Sequence, residues 1–264
     1  MLAVRGDTGV AMRGWCVGLA VAVASVMLFG TAWAEDIAPS PATRYSPDPT
    51  PMAADRDPCA LFTPDATYVT HTIRMQLENR KVKMRVPVEY FEDRWDQQDG
   101  FEDTAQLFSV EIGTFLPVSR PETGRRNKQH IWNWMDFIVR DIKPLEEVAA
   151  MGATDWIRGN TRTKLSDFPR LPGPFGLVEI RSDGRQPDVG FRKDYFLAEA
   201  EGGKLEAFFT CSAPDGFINP GCQMLFRSNN MDTKASFRRA ELSNWLKIKN
   251  DIDQFLACAT SKNL

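Results

Sequence analysis

Alternation of apolar and polar side chains organises most of this chain. Between Tyr68 and Leu77, Val69, His71, Ile73, Met75 and Leu77 fall on one side and Thr70, Thr72, Arg74 and Gln76 on the other. Period two is the repeat of a strand with one buried face. Asn79-Arg80 interrupts the run, and Val82, Met84, Val86 and Val88 resume it, which predicts a β-hairpin with one wet face. Further strands are predicted over 107–116, ended by Pro117, and over 130–142, 175–181 and 193–199. The last quarter changes period within one unit. Leu205-Glu206-Ala207-Phe208-Phe209-Thr210-Cys211 is strand-like, a loop follows, and Cys222, Met224 and Phe226 share a face. Asn229-Asn230 suits a hairpin turn because asparagine tolerates positive φ, and 234–238 return. From about Glu241 the spacing becomes 3.6, with Leu242, Trp245, Leu246, Ile252, Phe255 and Leu256 on one helical stripe.

A short helix is predicted between Pro144 and Gly152, with proline at its start, Glu146 and Glu147 in its first turn and glycine after its end. Between 155 and 174, Pro169, Pro172 and Pro174 exclude a regular central element. The pattern amounts to roughly nine strands and two helices, mostly antiparallel because the connections are too short for crossovers. The expected fold is α+β: a mostly antiparallel β-sheet, a short middle helix, and a C-terminal amphipathic helix packed on the sheet.

The N-terminus is of another kind. Residues 14–34 carry no charge, follow Arg13, and end in Ala32-Trp33-Ala34, the small-x-small pattern of a signal-peptidase site. Residues 1–34 are therefore expected to be a signal peptide, and Met12-Arg13 would by itself open a compact one. The competing expectation is an uncleaved anchor, since about 20 apolar residues span a bilayer. Residues 35–58 hold prolines at 39, 41, 47, 49, 51 and 58 and few apolar side chains, so an extended linker is expected. Residues 59–264 have the length of one domain, or of two small subdomains. Export places the chain in the periplasm or outside the cell; an uncleaved 14–34 would tether it to the inner membrane.

Charge narrows the partners. With Arg5, Arg13 and Asp7 set aside, 30 of the 32 basic and 34 of the 35 acidic residues remain, a net charge of −4. No basic patch recommends a nucleic acid, and the balance disfavours a membrane surface. Cysteines agree with export: beyond Cys16 in the apolar run there are four, which allow three disulfide connectivities. Cys211 and Cys222 flank a short loop between neighbouring strands, so that bond is expected. Cys59 with Cys258 would then staple the domain's start to its last helix. Metal ligation is the alternative, but no C-x-x-C pair and no nearby histidine supports it.

Candidate chemistry is sparse. The acidic loop 93–103 lacks calcium-loop spacing, with Trp95 and Gln97 at ligand positions. His71 reads as a packed, hydrogen-bonded strand residue. No nucleophile elbow, phosphate loop, dinucleotide fingerprint or zinc pattern occurs, so no cofactor or metal is expected. The polar segment 120–128 reads as a loop tip able to meet an acidic partner. Trp132 and Trp134, two residues apart, read as core or as an aromatic ridge of the kind that anchors interfaces.

Val82-Lys83-Met84-Arg85-Val86-Pro87-Val88-Glu89-Tyr90 is similar to the basic-x-Ile-Pro-x-x-Tyr strand of certain small, mostly uncharacterised exported bacterial proteins. Phe209-Thr210-Cys211, then Ile218-Asn219-Pro220-Gly221-Cys222, then Arg239, Leu242, Trp245 and Ile248 resemble their closing cassette of Cys, Asn-Pro-x-Cys, strand and Arg-x-x-Leu-x-x-Trp-x-x-Ile helix. Some of those proteins resemble immunity proteins that accompany type VI secretion effectors, lipases among them. Phe237 stands where that family has tyrosine, and 100–174 match nothing in it. The resemblance implies an exported, non-catalytic binding protein with a protein partner, an immunity protein that occludes a secreted effector enzyme. Trp132, Trp134, Arg125 and Arg126 are the candidate partner-binding residues. The competing readings are an envelope-associated structural protein and a hydrolase with a non-motif site built on His71 or His130.

Overall fold

The computed structural model describes residues 56–92, 94–154, 164–181, 192–214 and 219–261. The expected signal peptide, 1–34, and residues 35–55 of the expected linker lie outside them. A smaller sheet pairs β1 (Tyr68–Met75) with β2 (Arg80–Pro87) on one side and β3 (Phe101–Asp103) on the other. The larger sheet contains β4 (Ala105–Glu111), β5 (Trp134–Arg140), β6 (Arg170–Pro172), β7 (Val178–Ile180), β8 (Lys193–Glu199), β9 (Leu205–Ser212), β10 (Gly221–Ser228) and β11 (Met231–Arg238). Their spatial order is β4-β5-β11-β10-β9-β8-β7-β6. Three α-helices complete the described residues: α1 (Arg120–Lys128), α2 (Leu145–Thr154) and α3 (Trp245–Thr260). The fold is α+β and mostly antiparallel; β1 and β3 run parallel.

The described residues form eleven strands and three α-helices, where periodicity predicts nine and two. The additions are elements that periodicity cannot register. The added strands, β3 and β6, have three residues each, too few to repeat an alternation. Pro172 is tolerated in β6 because that strand is the sheet's edge. The hairpin turns form where asparagine allows them: Asn79 has φ 49°, and Asn229 and Asn230 have 45° and 64°.

β8 and β9 bury both faces, and β10 buries one. Phe196, Ala198, Phe209, Cys211, Met224 and Phe226 enter the main core with α3 and the smaller sheet. Tyr195, Leu197 and Phe208, one residue out of phase, pack under α2. Ala149, Ala150 and Ala153 let that helix approach closely, and a Cβ at Gly152 would stand 3.0 Å from the Phe208 ring. α3 buries Ile248, Ile252, Phe255, Leu256 and Ala259. Leu246, expected on the same stripe, is 51% exposed, since two residues at about 100° each put it on the far side from Ile248. Phe255 is the centre of the core. Its ring lies 4.8 Å from that of Tyr90, 5.3 Å from Phe62, 5.4 Å from Phe108 and Phe115, and 5.6 Å from Phe137.

Disulfides join Cys59 to Cys258 and Cys211 to Cys222. The second links directly paired residues of β9 and β10. The hairpin between β1 and β2 is tied to the larger sheet by an ion pair from Glu78 to Arg227 at 2.5 Å.

His71 corrects an expectation. It is fully buried, but neither ring nitrogen has a hydrogen-bond partner among the described residues. Its neighbours on the inward face are rings, Phe101 at 5.0 Å and Phe91 at 6.2 Å, which offer no acceptor. Burial pushes its pKa below the ordinary 6.5, against a weaker pull from Asp96 and Asp103. The unfolded chain takes up a proton at His71 as pH falls through 6.5, and the folded chain resists it. Its contribution is therefore intact above that value and lost below it. Urea midpoints are expected to fall between about pH 7.5 and about pH 5, and His71→Leu to flatten the profile. An unchanged profile in that variant would assign the acid sensitivity to other groups.

Candidate functional site

One face of the larger sheet is covered by α2 over β9 and β10; on the same side of β4, β5 and β11, Leu107 and Arg140 are exposed and Trp134, Asp136, Ile138, Lys234 and Ser236 are half-buried. Met135, Phe137 and Val139 point into the main core, so Trp134, Asp136, Ile138 and Arg140 point to this open face. Register sets the rows: Ser109 opposite Asp136 opposite Ser236, and Leu107 opposite Ile138 opposite Lys234. Leu107 is 45% exposed on the edge strand. The tryptophans are neither core nor bare ridge, because both are half-buried on the face turned away from the main core.

At one corner of this face α1 meets the run-in to β5. Residues 120–128, expected as a loop tip, form a helix with no buried residue. Its stability comes from features without hydrophobic periodicity. Pro121 sits in the first turn, Arg125, Arg126 and Lys128 complement the C-terminal dipole, and Glu122 reaches Arg125 and Arg126 one turn on. Those two arginines hold the Glu122 carboxyl at about 2.

The two candidate arginines differ in kind. Arg126 is a clasp: its guanidinium donates to Glu122 at 2.8 Å, Asn133 at 2.8 Å and Glu111 at 3.1 Å, joining α1 to the ends of β4 and β5. Its side chain is 17% exposed, so it acts on the corner's shape. Arg125 is exposed and engages Glu122 of its own helix and Gln129, the residue that follows it. Trp132 precedes β5; its indole N–H donates to Asn127 at 3.1 Å, and the Arg238 guanidinium lies 5.3 Å from its ring.

Trp132 and Trp134 line a cleft of 190 Å³ with Asp136, Asn219, Ser236 and Arg238. Arg238 donates to Asn219 at 2.9 Å. Burial raises the Asp136 pKa above the ordinary carboxylate value, partly offset by a 2.6 Å hydrogen bond from the Ser109 hydroxyl. Asp136 shares the parity of the tryptophans in sequence, an acid interrupting an apolar strand; Asn219 and Arg238 join it only through the pairing of β10 and β11. A larger cavity of 450 Å³ opens beyond the β1–β2 turn, lined by Glu78, Leu145, Lys204, Arg227, Asp232 and Lys249. Its one buried charge among these, Asp232, is matched: it pairs with the exposed Arg227, which also pairs with Glu78, and accepts from the Ile142 amide at 2.9 Å.

Neither histidine is placed for catalysis by the described residues. His71 is buried among rings, and His130 is exposed, edge-on to Trp132 at 5.4 Å, with no hydrogen-bonded carboxylate or hydroxyl. No described group of three or more His, Cys, Asp or Glu could hold a metal ion. No described helix is long and apolar enough to cross a membrane, and the two disulfides fit an extracytoplasmic location.

Neither a protein-family model nor a curated protein matches the sequence. Two solved structures are similar. The immunity protein Smlt3025 of the Stenotrophomonas maltophilia type IV secretion system aligns with a TM-score of 0.54 at 14% identity, over 76% of this chain and 97% of that one. The Neisseria meningitidis iron-regulated outer membrane lipoprotein FrpD aligns with a TM-score of 0.46 at 11% identity, over 78% and 96%. At this identity the likeness is one of fold: the chain shares the fold of Smlt3025.

Proposed function

We propose that this chain is an exported, non-catalytic protein that binds a secreted effector enzyme and neutralises it by occlusion in the periplasm. The observation that supports this reading is the fold it shares with a secretion-system immunity protein over nearly the whole of that protein. The sequence cassette resembles proteins tied to type VI effectors, and the solved structure serves a type IV system; the proposal rests on the immunity role common to both. Occlusion needs a rigid surface and a few aromatic anchors rather than a catalytic constellation. The corner formed by α1, Trp132 and Trp134 has that character, braced by Arg126 and presented beside an open sheet face.

The test is affinity capture of the tagged chain 35–264 from envelope and secreted fractions, followed by titration of the captured partner's activity. One stoichiometric partner, inhibited at a one-to-one ratio, is the expected result. Trp132→Ala and Trp134→Ala are each expected to weaken that complex by about 2 kcal/mol, roughly thirtyfold in Kd, with cooperative unfolding retained. Recovery of no partner, or a partner whose activity is untouched, overturns neutralisation. Variants that unfold instead of binding weakly would remove the tryptophans from the interface.

A further inference from the structure

The cleft at the corner of the open face holds a charge without a counter-charge. Asp136 is half-buried and accepts one hydrogen bond, from a neutral donor, Ser109. No described Lys, Arg or His forms an ion pair with it, and the charge that acts on it, Glu92, has its own sign. Arg238 lines the same cleft but is directed to Asn219 and to the Trp132 ring. Buried charges ordinarily find a partner, because desolvation without one is costly. Next to Asp136 on the same strand face stands Trp134, which has no ring, cation or hydrogen-bond partner among the described residues. A half-buried carboxylate beside an unused indole face is the arrangement that accepts an organic cation, through an ion pair on one side and the ring quadrupole on the other. The cleft's 190 Å³ suits one long side chain.

We propose that this cleft binds a basic side chain, an arginine guanidinium or lysine ammonium that enters against Trp134 and takes Asp136 as its counter-charge. On the neutralisation reading, on which this occupant rests, the group belongs to the effector and fixes its register on the open face.

Small probes test the site without the effector. The mature chain, labelled with nitrogen-15, is titrated with the N-acetyl amides of arginine, lysine, citrulline and glutamate while the tryptophan indole resonances are followed. Citrulline is the neutral isostere of arginine. A basic probe is expected to shift the Trp134 indole signal, and citrulline to bind at least about tenfold more weakly. Asp136→Asn is expected to weaken the basic probe by about tenfold or more, while its amide oxygen still accepts from Ser109 and preserves the fold. Trp134→Leu, a second route to the same site, is expected to weaken it severalfold. Equal binding of arginine and citrulline, tighter binding of the glutamate probe, or an unmoved Trp134 signal with every probe would each overturn the assignment. Failure here leaves effector capture untouched, and failure of capture leaves the probe result standing.

Discussion

Phe255→Ala is expected to cost about 3–5 kcal/mol, a large share of the roughly 5–15 kcal/mol that holds a domain together. The reason is connectivity as much as area. The Phe255 ring meets Phe62 near the start of the described chain, Tyr90 after β2, Phe108 on β4, Phe115 in the following turn and Phe137 on β5. Removing it opens a cavity shared by α3, the smaller sheet and the edge of the larger one, and surrounding rings relax only partly into such a space. Equilibrium unfolding in urea provides the check. A loss below about 1 kcal/mol would mean that the neighbouring rings collapse into the gap and that no single side chain organises this core.

The two disulfides are expected to contribute unequally. Cys59–Cys258 closes a separation of 199 residues and Cys211–Cys222 one of 11. Loop-closure entropy of the unfolded chain then gives about 5 kcal/mol for the long bridge and about 3 kcal/mol for the short one. Cys59→Ala/Cys258→Ala should therefore lower the denaturation midpoint more than Cys211→Ala/Cys222→Ala, measured in oxidising buffer. The short bridge also duplicates restraints already present, since its ends are a paired position of the β9–β10 ladder. The reverse ranking would show that Phe62 in the core and the 2.7 Å hydrogen bond from Gln254 to Asp57 secure the first described residues without the bond.

The candidate site is only partly legible in the sequence. The shared parity of Trp132, Trp134 and Asp136 is visible there, but parity alone does not say which side of a strand becomes core. α1 leaves no periodic trace, because its stabilising features, a proline start and ion pairs one turn apart, create no apolar stripe. His71 is recognisable as a packed residue, yet the nature of its neighbours depends on Phe91, from the segment after β2, and Phe101, from the strand paired beside β1.

What the sequence determined by itself is local. Period two set the hairpin strands, the change to 3.6 set the closing helix, and Asn79, Asn229 and Asn230 set turns, because side-chain direction and accessible φ are properties of a few consecutive residues. Tertiary structure decided what covers each face. α2 shields β9 and β10 and leaves β4, β5 and β11 open, and the order β5-β11-β10 brings Trp134 and Asp136 to Asn219 and Arg238. Alternation states that the two sides of a strand differ; which neighbour arrives on each is fixed by contacts between segments far apart in the chain, and no short-range pattern encodes them.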